Sequence, residues 1–365
     1  MKYLHLLLHD ETKFNEKLFR LLNDKELGFD NSEQWFITPH RNVFIELSKY
    51  GDNIYFSKEN SLNLINKYGR QADWVFIHAL NLRKYQIIQI RRSVSHKIIW
   101  RVWGHDILQK PNEKNAIKKV GKAVLDKLYI NKVREFYGIG TGFKYDNILI
   151  AERFGSVRTF PLSYTYQKGL EDVYKAVGEN KTVPTKRTRI MIGHSGNEIM
   201  NHIKILKALN HLSGDPIQIV LVLSYGKADY IQKVKEFALN NYKEDEIEIV
   251  EDFFPMERYL ELLNSVDVAV FDQVGSAALG NLTPLLYFNK KFVFNKDGLM
   301  KKVFDIEKLD CLTTDSLENI TWKEITERFN TQDSERRLVE NRIKDDYVPN
   351  TWKTIFDELS RYGGQ

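Results

Sequence analysis

The chain has 365 residues, 42% hydrophobic and 28% charged; this is an ordinary globular composition, too long for one core and suited to two domains of about 150–200 residues each. A single cysteine, Cys311, excludes a disulfide framework and a cysteine-based zinc site. The net charge of +5 hides an asymmetry: the stretch 83–134 carries 14 Lys and Arg against Asp106, Glu113 and Asp126, a net of +11 against −6 for the remainder, which suits an anionic surface.

Short apolar runs alternate with longer amphipathic ones, the pattern of a parallel α/β sheet. The stretch 1–9 is too short an apolar run for a secretion signal and reads as the opening of a buried first strand. The first series of strands is expected at 3–8, 34–38, 53–56, 74–78, 97–103 and 147–151. A helix is expected over 115–136, with Ile117, Val120, Val124 and Leu128 at helical spacing. A polar stretch with Gly and Pro then reads as a linker at 169–187. A second series follows, with strands at 189–192, 217–223, 247–250, 268–271 and 291–294. Helices are expected at 197–212, 228–241, 256–264 and 280–288, and the stretch 333–362 reads as helical. The domains are thus 1–168, the linker 169–187, then 188–330, with C-terminal helices at 331–365 that can pack back on the first domain. Two Rossmann-like domains facing across a cleft place a ligand outside the carboxyl ends of the strands. No run approaches the roughly 18 apolar residues of a membrane span, so the chain is expected to be soluble or peripheral.

Three clusters carry possible chemistry. The string Gly193-His194-Ser195-Gly196-Asn197 joins a strand to a helix. Glycines let a backbone approach a ligand, and free helix-start amides favour a diphosphate; the competing reading is a plain capped turn with Ser195 or Asn197 as N-cap. The same string resembles the Gly-x-Ser-x-Gly elbow of serine hydrolases, with Ser195 as nucleophile. Against that, Asn197 stands where the elbow has Gly, and only His202 and His211 follow the serine. A second strand ends in Trp103-Gly104-His105-Asp106. There His105 or Asp106 can take a proton from an attacking hydroxyl, or Asp106 can simply cap the next helix; His78, at the end of the preceding strand, has the same ambiguity. The third cluster, from Asp272 through Gly280 and Asn281, is a strand, a small-residue loop and an apolar helix. It offers a second backbone surface to a donor, or only tight helix packing.

Other classes leave little trace. The run Gly138-Ile-Gly-Thr-Gly142 follows a helix, not a strand, which disfavours a nicotinamide enzyme. There is no Walker loop and no Asp-x-Asp at a strand end, so neither a cofactor nor a tightly bound metal is expected. The basic region lacks the aromatic interleaving of single-strand nucleic-acid binders, and no nucleic-acid partner is expected.

Taken together, the clusters are similar to glycosyltransferase family 56, the enterobacterial 4-acetamido-4,6-dideoxygalactose (Fuc4NAc) transferases and their relatives in polysaccharide assembly. The resemblance rests on Ile99-Trp-Arg-Val-Trp-Gly-His-Asp106, on Gly193-His-Ser-Gly-Asn197 with His202, and on Ala278-Leu-Gly-Asn281 leading into Leu285-Leu-Tyr287. Phe160-Pro161 and Asn295 extend it over nearly the whole chain. It implies a GT-B fold that moves a deoxy or acetamido sugar from a nucleotide-diphosphate donor to a polyprenyl-diphosphate-linked saccharide, without a bound metal. It also implies that Gly193, His194, Ser195, Gly196, Asn197, His202, Gly280 and Asn281 hold the donor, and that Asp106 is the preferred base. This chain has Gly275-Ser276-Ala277 where relatives show Arg-Gln or Gln-Gln, so no particular donor sugar is assigned. A non-catalytic GT-B-like assembly protein is the alternative.

A lipid-linked acceptor stays in its bilayer, so a cytoplasmic location, peripheral on the inner face of the bacterial membrane, is expected. The helix at 115–136 is the candidate docking element. Lys118, Lys119, Lys122 and Lys127 flank its apolar stripe and face an anionic membrane surface. Alternatively, that stripe packs on the first sheet.

Overall fold

The computed structural model describes residues 1–103, 116–164, 166–179, 187–275, 279–331 and 333–362, without the side chains of 116–120 and 279. The chain forms two compact units, Met1–Lys168 with Asp345–Gln365, and Gly169–Lys344.

The first unit holds seven strands: β1 (Tyr3–Leu7), β2 (Gln34–Thr38), β3 (Ile54–Phe56), β4 (Trp74–His78), β5 (Ile98–Arg101), β6 (Gly138–Thr141) and β7 (Thr159–Pro161). They lie in the order β3-β2-β1-β4-β5-β6-β7, with parallel pairings throughout. A parallel sheet is covered on both faces, so its strands read as continuous apolar runs. All five residues of β1 and of β4 are buried accordingly. The final helix, Tyr347–Tyr362, returns to this unit: Val348, Trp352, Ile355 and Leu359 recur at helical spacing and are buried. Trp352 packs beside Phe76 and donates its indole N–H to the Ser163 carbonyl at 2.8 Å.

The second unit holds β8 (Thr188–Ile192), β9 (Ile217–Val222), β10 (Ile247–Val250), β11 (Val268–Phe271), β12 (Lys291–Phe294) and β13 (Leu312–Thr313), in the order β10-β9-β8-β11-β12-β13. Again every pairing is parallel. Numbered within its own unit, each sheet begins 3-2-1-4-5-6, the Rossmann order, and the first adds a seventh strand at the edge. The strand order reverses between β1 and β4 in one unit and between β8 and β11 in the other.

Several expectations are corrected. The stretch 147–151 is not a strand but part of the helix Asp146–Phe154; Asp146, Ile150 and Phe154 are its buried positions, four residues apart, so the apolar run has helical period. The true strands there are β6 and β7. In β6, a Cβ at Gly138 would lie 2.4 Å from the Phe160 ring and one at Gly140 2.7 Å from Leu162, so large β7 side chains occupy the space its glycines leave. The glycine run 138–142 is thus mostly the strand β6 itself. The expected linker 169–187 contains the helix Leu170–Glu179, which buries Tyr174 and Val177. The C-terminal stretch divides, with Lys344 still in the second unit and Asp345 onward in the first.

Candidate donor site

The expected helix at 197–212 is broken. Glu198–Met200 is a 3-10 turn, Asn201 sits in the left-handed region at φ 53°, and the α-helix runs only from His202 to Leu209. Its first amide, on His202, already donates to the Tyr230 hydroxyl at 3.1 Å. A long helix dipole aimed at the turn is therefore absent. Asn197 is a cap, its side-chain oxygen accepting from the Ile199 amide at 3.2 Å.

The turn itself is built by close approach. Gly193 sits at φ +64°, and a Cβ there would stand 2.7 Å from His202 Nε2. Gly196 is pressed against the loop that follows β9: its amide donates to the Tyr225 carbonyl at 2.6 Å, and its carbonyl accepts from Lys227 at 3.2 Å. A Cβ on Gly196 would meet Ile231 Cγ1 at 2.2 Å. The two loops outside β8 and β9 are thus stitched together, backbone to backbone.

The amides divide into spent and unspent. Gly193 donates to the Val270 carbonyl, Gly196 to Tyr225 and Asn197 to Ser195. The amides of His194 and Ser195 meet no acceptor among the described residues, although Ser195 is buried. The His194 Nδ1 atom is likewise buried without a partner there. Buried polar groups are nearly always paired, so three such atoms on one turn invite a ligand. Burial pushes His194 down to about 4, and burial together with His194 pushes His202 down to about 4. Near pH 7 the turn therefore offers neutral imidazoles and amides, not positive charge. His202 stacks its ring beneath Gly193, its Nδ1 atom 3.3 Å from the Tyr230 hydroxyl.

The other lip of the β8/β11 crossover carries Asp272, directly after β11. Its carboxylate accepts from Asn201 Nδ2 at 2.9 Å, Lys204 Nζ at 3.1 Å, Asn295 Nδ2 at 3.0 Å and Thr314 Oγ1 at 2.5 Å. It ties the ends of β11, β12 and β13 to the helix after the turn. Lys204 is half-exposed and is a cation at this edge. The sequence reading gave neither residue a role. The signal for Asp272 was a polar residue directly after an apolar strand, repeated at Asn295 and Thr314; Lys204, inside a helix, left none.

Asn281 is buried and its side-chain oxygen accepts from the Tyr259 hydroxyl, whereas Gly280 is exposed and a Cβ there would touch nothing within 4 Å. Ser195 does not form a nucleophile elbow. It is buried, and it is absent from the positive-φ residues, where the elbow's strain would put it. A cavity lined by Arg187, Asp267, Lys290 and Arg328 opens at the start of β8, β11 and β12; that is the wrong edge for a ligand of a doubly wound sheet.

In the first unit, His105 and Asp106 lie outside the described residues, as do the side chains of Lys118 and Lys119. His78 is described, and the reading of it as a proton acceptor for substrate is corrected. Trp103 Nε1 donates to the Tyr164 oxygen at 3.0 Å, and Tyr164 then donates to His78 Nδ1 at 2.9 Å. His78 Nε2–H donates to His5 Nδ1 at 3.0 Å, and His5 Nε2–H to Gln34 Oε1 at 2.8 Å. The Gln34 side-chain oxygen only accepts, so with both imidazoles neutral the direction from His5 to Tyr164 follows from it. Both His78 nitrogens are engaged, and neither histidine has any exposed surface. Burial first, then the neighbouring charges, holds His78 well below its usual range; burial pushes His5 down to about 3.

Among the described side chains of the helix Ala116–Arg134 the buried positions are Tyr129 and Val133, while Val124 is 57% and Leu128 49% exposed. Among the described residues, the stripe does not pack on the sheet. Lys127 is exposed and Lys122 half-buried, and Lys84 ion-pairs with Asp126 on this helix. No helix among the described residues is long and apolar enough to cross a membrane.

Over residues 1–347 the chain matches the family described as 4-alpha-L-fucosyltransferase glycosyl transferase group 56. Among solved structures it is similar to Anabaena HepE in complex with UDP, with a TM-score of 0.63 at 9% identity over 99% of this chain and 100% of that one. A trehalose-phosphate synthase (UDP-forming) from Burkholderia vietnamiensis gives 0.61 at 9% identity, covering 99% and 100%. A glycosyltransferase from Rickettsia africae gives 0.58 at 13%, covering 98% of each. At such identities these likenesses speak for the GT-B fold alone.

Proposed function

Because this chain belongs to the 4-alpha-L-fucosyltransferase glycosyl transferase group 56 and is a glycosyltransferase of GT-B fold, we propose that it moves a deoxy or acetamido sugar from a nucleotide-diphosphate donor to a polyprenyl-diphosphate-linked saccharide in bacterial surface-polysaccharide assembly. One observation carries the donor half: two amides and two imidazole nitrogens without partners among the described residues stand at the β8/β11 crossover. That is where a doubly wound sheet receives its ligand. The leaving diphosphate gathers charge as the acceptor hydroxyl attacks the anomeric carbon. The amides of His194 and Ser195 donate to it, and Lys204 supplies positive charge from the adjoining helix. One well-aimed donor of this kind is worth about 3–4 kcal/mol at the transition state.

The acceptor half rests on the family and on the first unit. Asp106 is the proposed base, accepting the proton of the attacking hydroxyl. His105 is next in line, since His78 is occupied inside the sheet. The enzyme is proposed to work at the inner face of the bacterial membrane, docked through the exposed Val124 and Leu128 stripe and its flanking lysines. No resident metal is part of the proposal.

The test is transfer itself. Purified protein, a panel of nucleotide sugars and an undecaprenyl-diphosphate-linked acceptor should yield a glycosylated lipid by mass spectrometry, with undiminished yield in EDTA. Nucleotide binding without turnover on any sugar of the panel would favour a non-catalytic assembly protein. Loss of turnover in EDTA, restored by a divalent cation, would overturn the metal-free mechanism.

A further inference from the structure

Beyond the turn, the same edge of the second sheet carries an unusual surface. Phe253 is 75% exposed and Tyr225 50% exposed. Their rings lie nearly parallel, centroids 6.0 Å apart at 13°. Tyr225 follows β9 and Phe253 follows β10, so both stand at carboxyl ends of strands, beside the β8 turn. Burying two such rings would remove much apolar surface from water, yet the fold leaves them out.

The pair is held rigidly in that exposed position. Tyr225 is fixed by its backbone, since its carbonyl accepts the Gly196 amide at 2.6 Å. Gly226, next in the chain, sits at φ +143°, where a Cβ would lie 2.2 Å from the Gly196 carbonyl oxygen. The Phe253 loop is braced by Ser224, whose hydroxyl donates to the Asp252 carbonyl at 3.0 Å. The Tyr225 and His194 rings lie 6.4 Å apart by centroid. The aromatic surface is therefore continuous with the turn that bears the unclaimed amides of His194 and Ser195.

We infer that Tyr225 and Phe253 form the stacking platform for the nucleobase of the donor, so that the nucleoside lies over the ends of β9 and β10 while its diphosphate meets the β8 turn. This rests on the donor reading above and adds the residues that hold the base. A flat aromatic face suits a planar base and tolerates any base, because every base has a π-face. The geometry fits a nucleoside diphosphate, whose apolar and anionic ends need adjacent but different surfaces. Choice among bases then falls to edge contacts, not to this pair.

The experiment is calorimetry with uridine, thymidine and guanosine diphosphates on the full chain. The tightest of the three should lose at least about tenfold in affinity in Phe253→Ala and in Tyr225→Leu, the scale of one base–aromatic stack. Phe253→Trp should stay within about threefold of the wild type, since it keeps the ring face. Both rings are largely exposed, and matched circular dichroism should show the variants folded. Wild-type binding that persists unchanged in Phe253→Ala and Tyr225→Leu would overturn the platform and leave the donor reading standing. No binding of any diphosphate by the wild type would overturn both. If Phe253→Ala lowered liposome flotation and left nucleotide affinity untouched, the ring would be a membrane contact and the platform would be wrong.

Discussion

The two sheets share one strand order and use its crossover differently. At the β1/β4 crossover the first unit has a chain of polar side chains, Gln34, His5, His78 and Tyr164, linked one to the next by hydrogen bonds and closed at the Tyr164 end by the Trp103 indole. These groups are buried and paired, and they hold adjacent strands in place. At the β8/β11 crossover the second unit leaves two amides and two imidazole nitrogens, His194 Nδ1 and His202 Nε2, without acceptors or donors among the described residues. The chemistry of the residue types is similar in both places. What differs is whether the fold has already satisfied them, and only the unsatisfied set is available to a ligand.

The sharpest way to break this contrast is to test the residue to which the proposal gives the base's role in the first unit. Asp106→Asn should lower turnover by about 10²–10⁴-fold, the usual contribution of a general base, with nucleoside diphosphate affinity unchanged by calorimetry. A fall of less than about tenfold would place Asp106 among the paired scaffold groups and move the role to His105.

Next in size is the stitched turn of the second unit. Gly196→Val puts a side chain into Ile231 and parts the two loops, so nucleoside diphosphate affinity should fall at least tenfold and stability by about 1–3 kcal/mol. Asn197→Ala should be milder. It removes a cap worth about 1 kcal/mol and no amide the diphosphate needs, so affinity should fall only about two- to fivefold by the same scale. Thermal melts and calorimetry read both. Equal losses in the two variants would mean that Asn197 touches the donor itself.

These variants also show how far the sequence was legible. Strands such as Trp74–His78 and Val268–Phe271 were readable to the residue because a buried parallel strand is an uninterrupted apolar run. The run around Ile148 misled because short apolar runs fit either period, and β6 was missed because glycines carry no apolar signal. The turn at 193–197 was visible because strand, glycines and helix are contiguous. Its hydrogen bonding was not: Tyr225 and Val270, which claim two of its amides, lie far along the chain and arrive only with the β9 and β11 ends. Asp272 was opaque for the same reason, since its partners Asn201 and Thr314 stand 71 and 42 residues away.

The buried histidines make a pH prediction that compares the units directly. His5, His78, His194 and His202 all have lowered pKa values in the folded chain, chiefly through burial. Unfolded histidine titrates near about 6.5. Between that value and the folded ones, at about 3 for His5 and about 4 for His194 and His202, the unfolded chain binds more protons. Stability is therefore complete above about pH 7 and is lost as pH falls through 6.5, by up to about 1.4 kcal/mol per unit for each histidine. Urea melts from pH 7.5 to 5 should show the loss. His78→Phe should lower stability at pH 7.5 by about 1–3 kcal/mol, because it strands His5 and Tyr164, and should flatten the acid slope. Turnover per folded molecule should barely move; a large loss would return His78 to the reaction.

The smallest expected effect concerns the face of the first unit proposed to dock on the membrane. Val124 and Leu128 are exposed on a helix whose other side packs through Tyr129 and Val133, so the apolar stripe has no partner among the described residues. The region carrying it nets +11. An amphipathic helix of this charge lies in the headgroup layer with its apolar side down. Each Lys near an anionic surface adds about 1 kcal/mol, and salt screens it within about 10 Å at 0.1 M. Flotation with anionic liposomes should be clear at low salt and fall at high salt. It should drop further when Lys118, Lys119 and Lys122 become Glu. Val124→Ser with Leu128→Ser should weaken what salt leaves behind, because that residue of binding is apolar. If neutral and anionic vesicles float the protein equally, or neither does, the helix is a solvated face like any other. The proposed lipid-linked acceptor would then have to reach the enzyme by another surface.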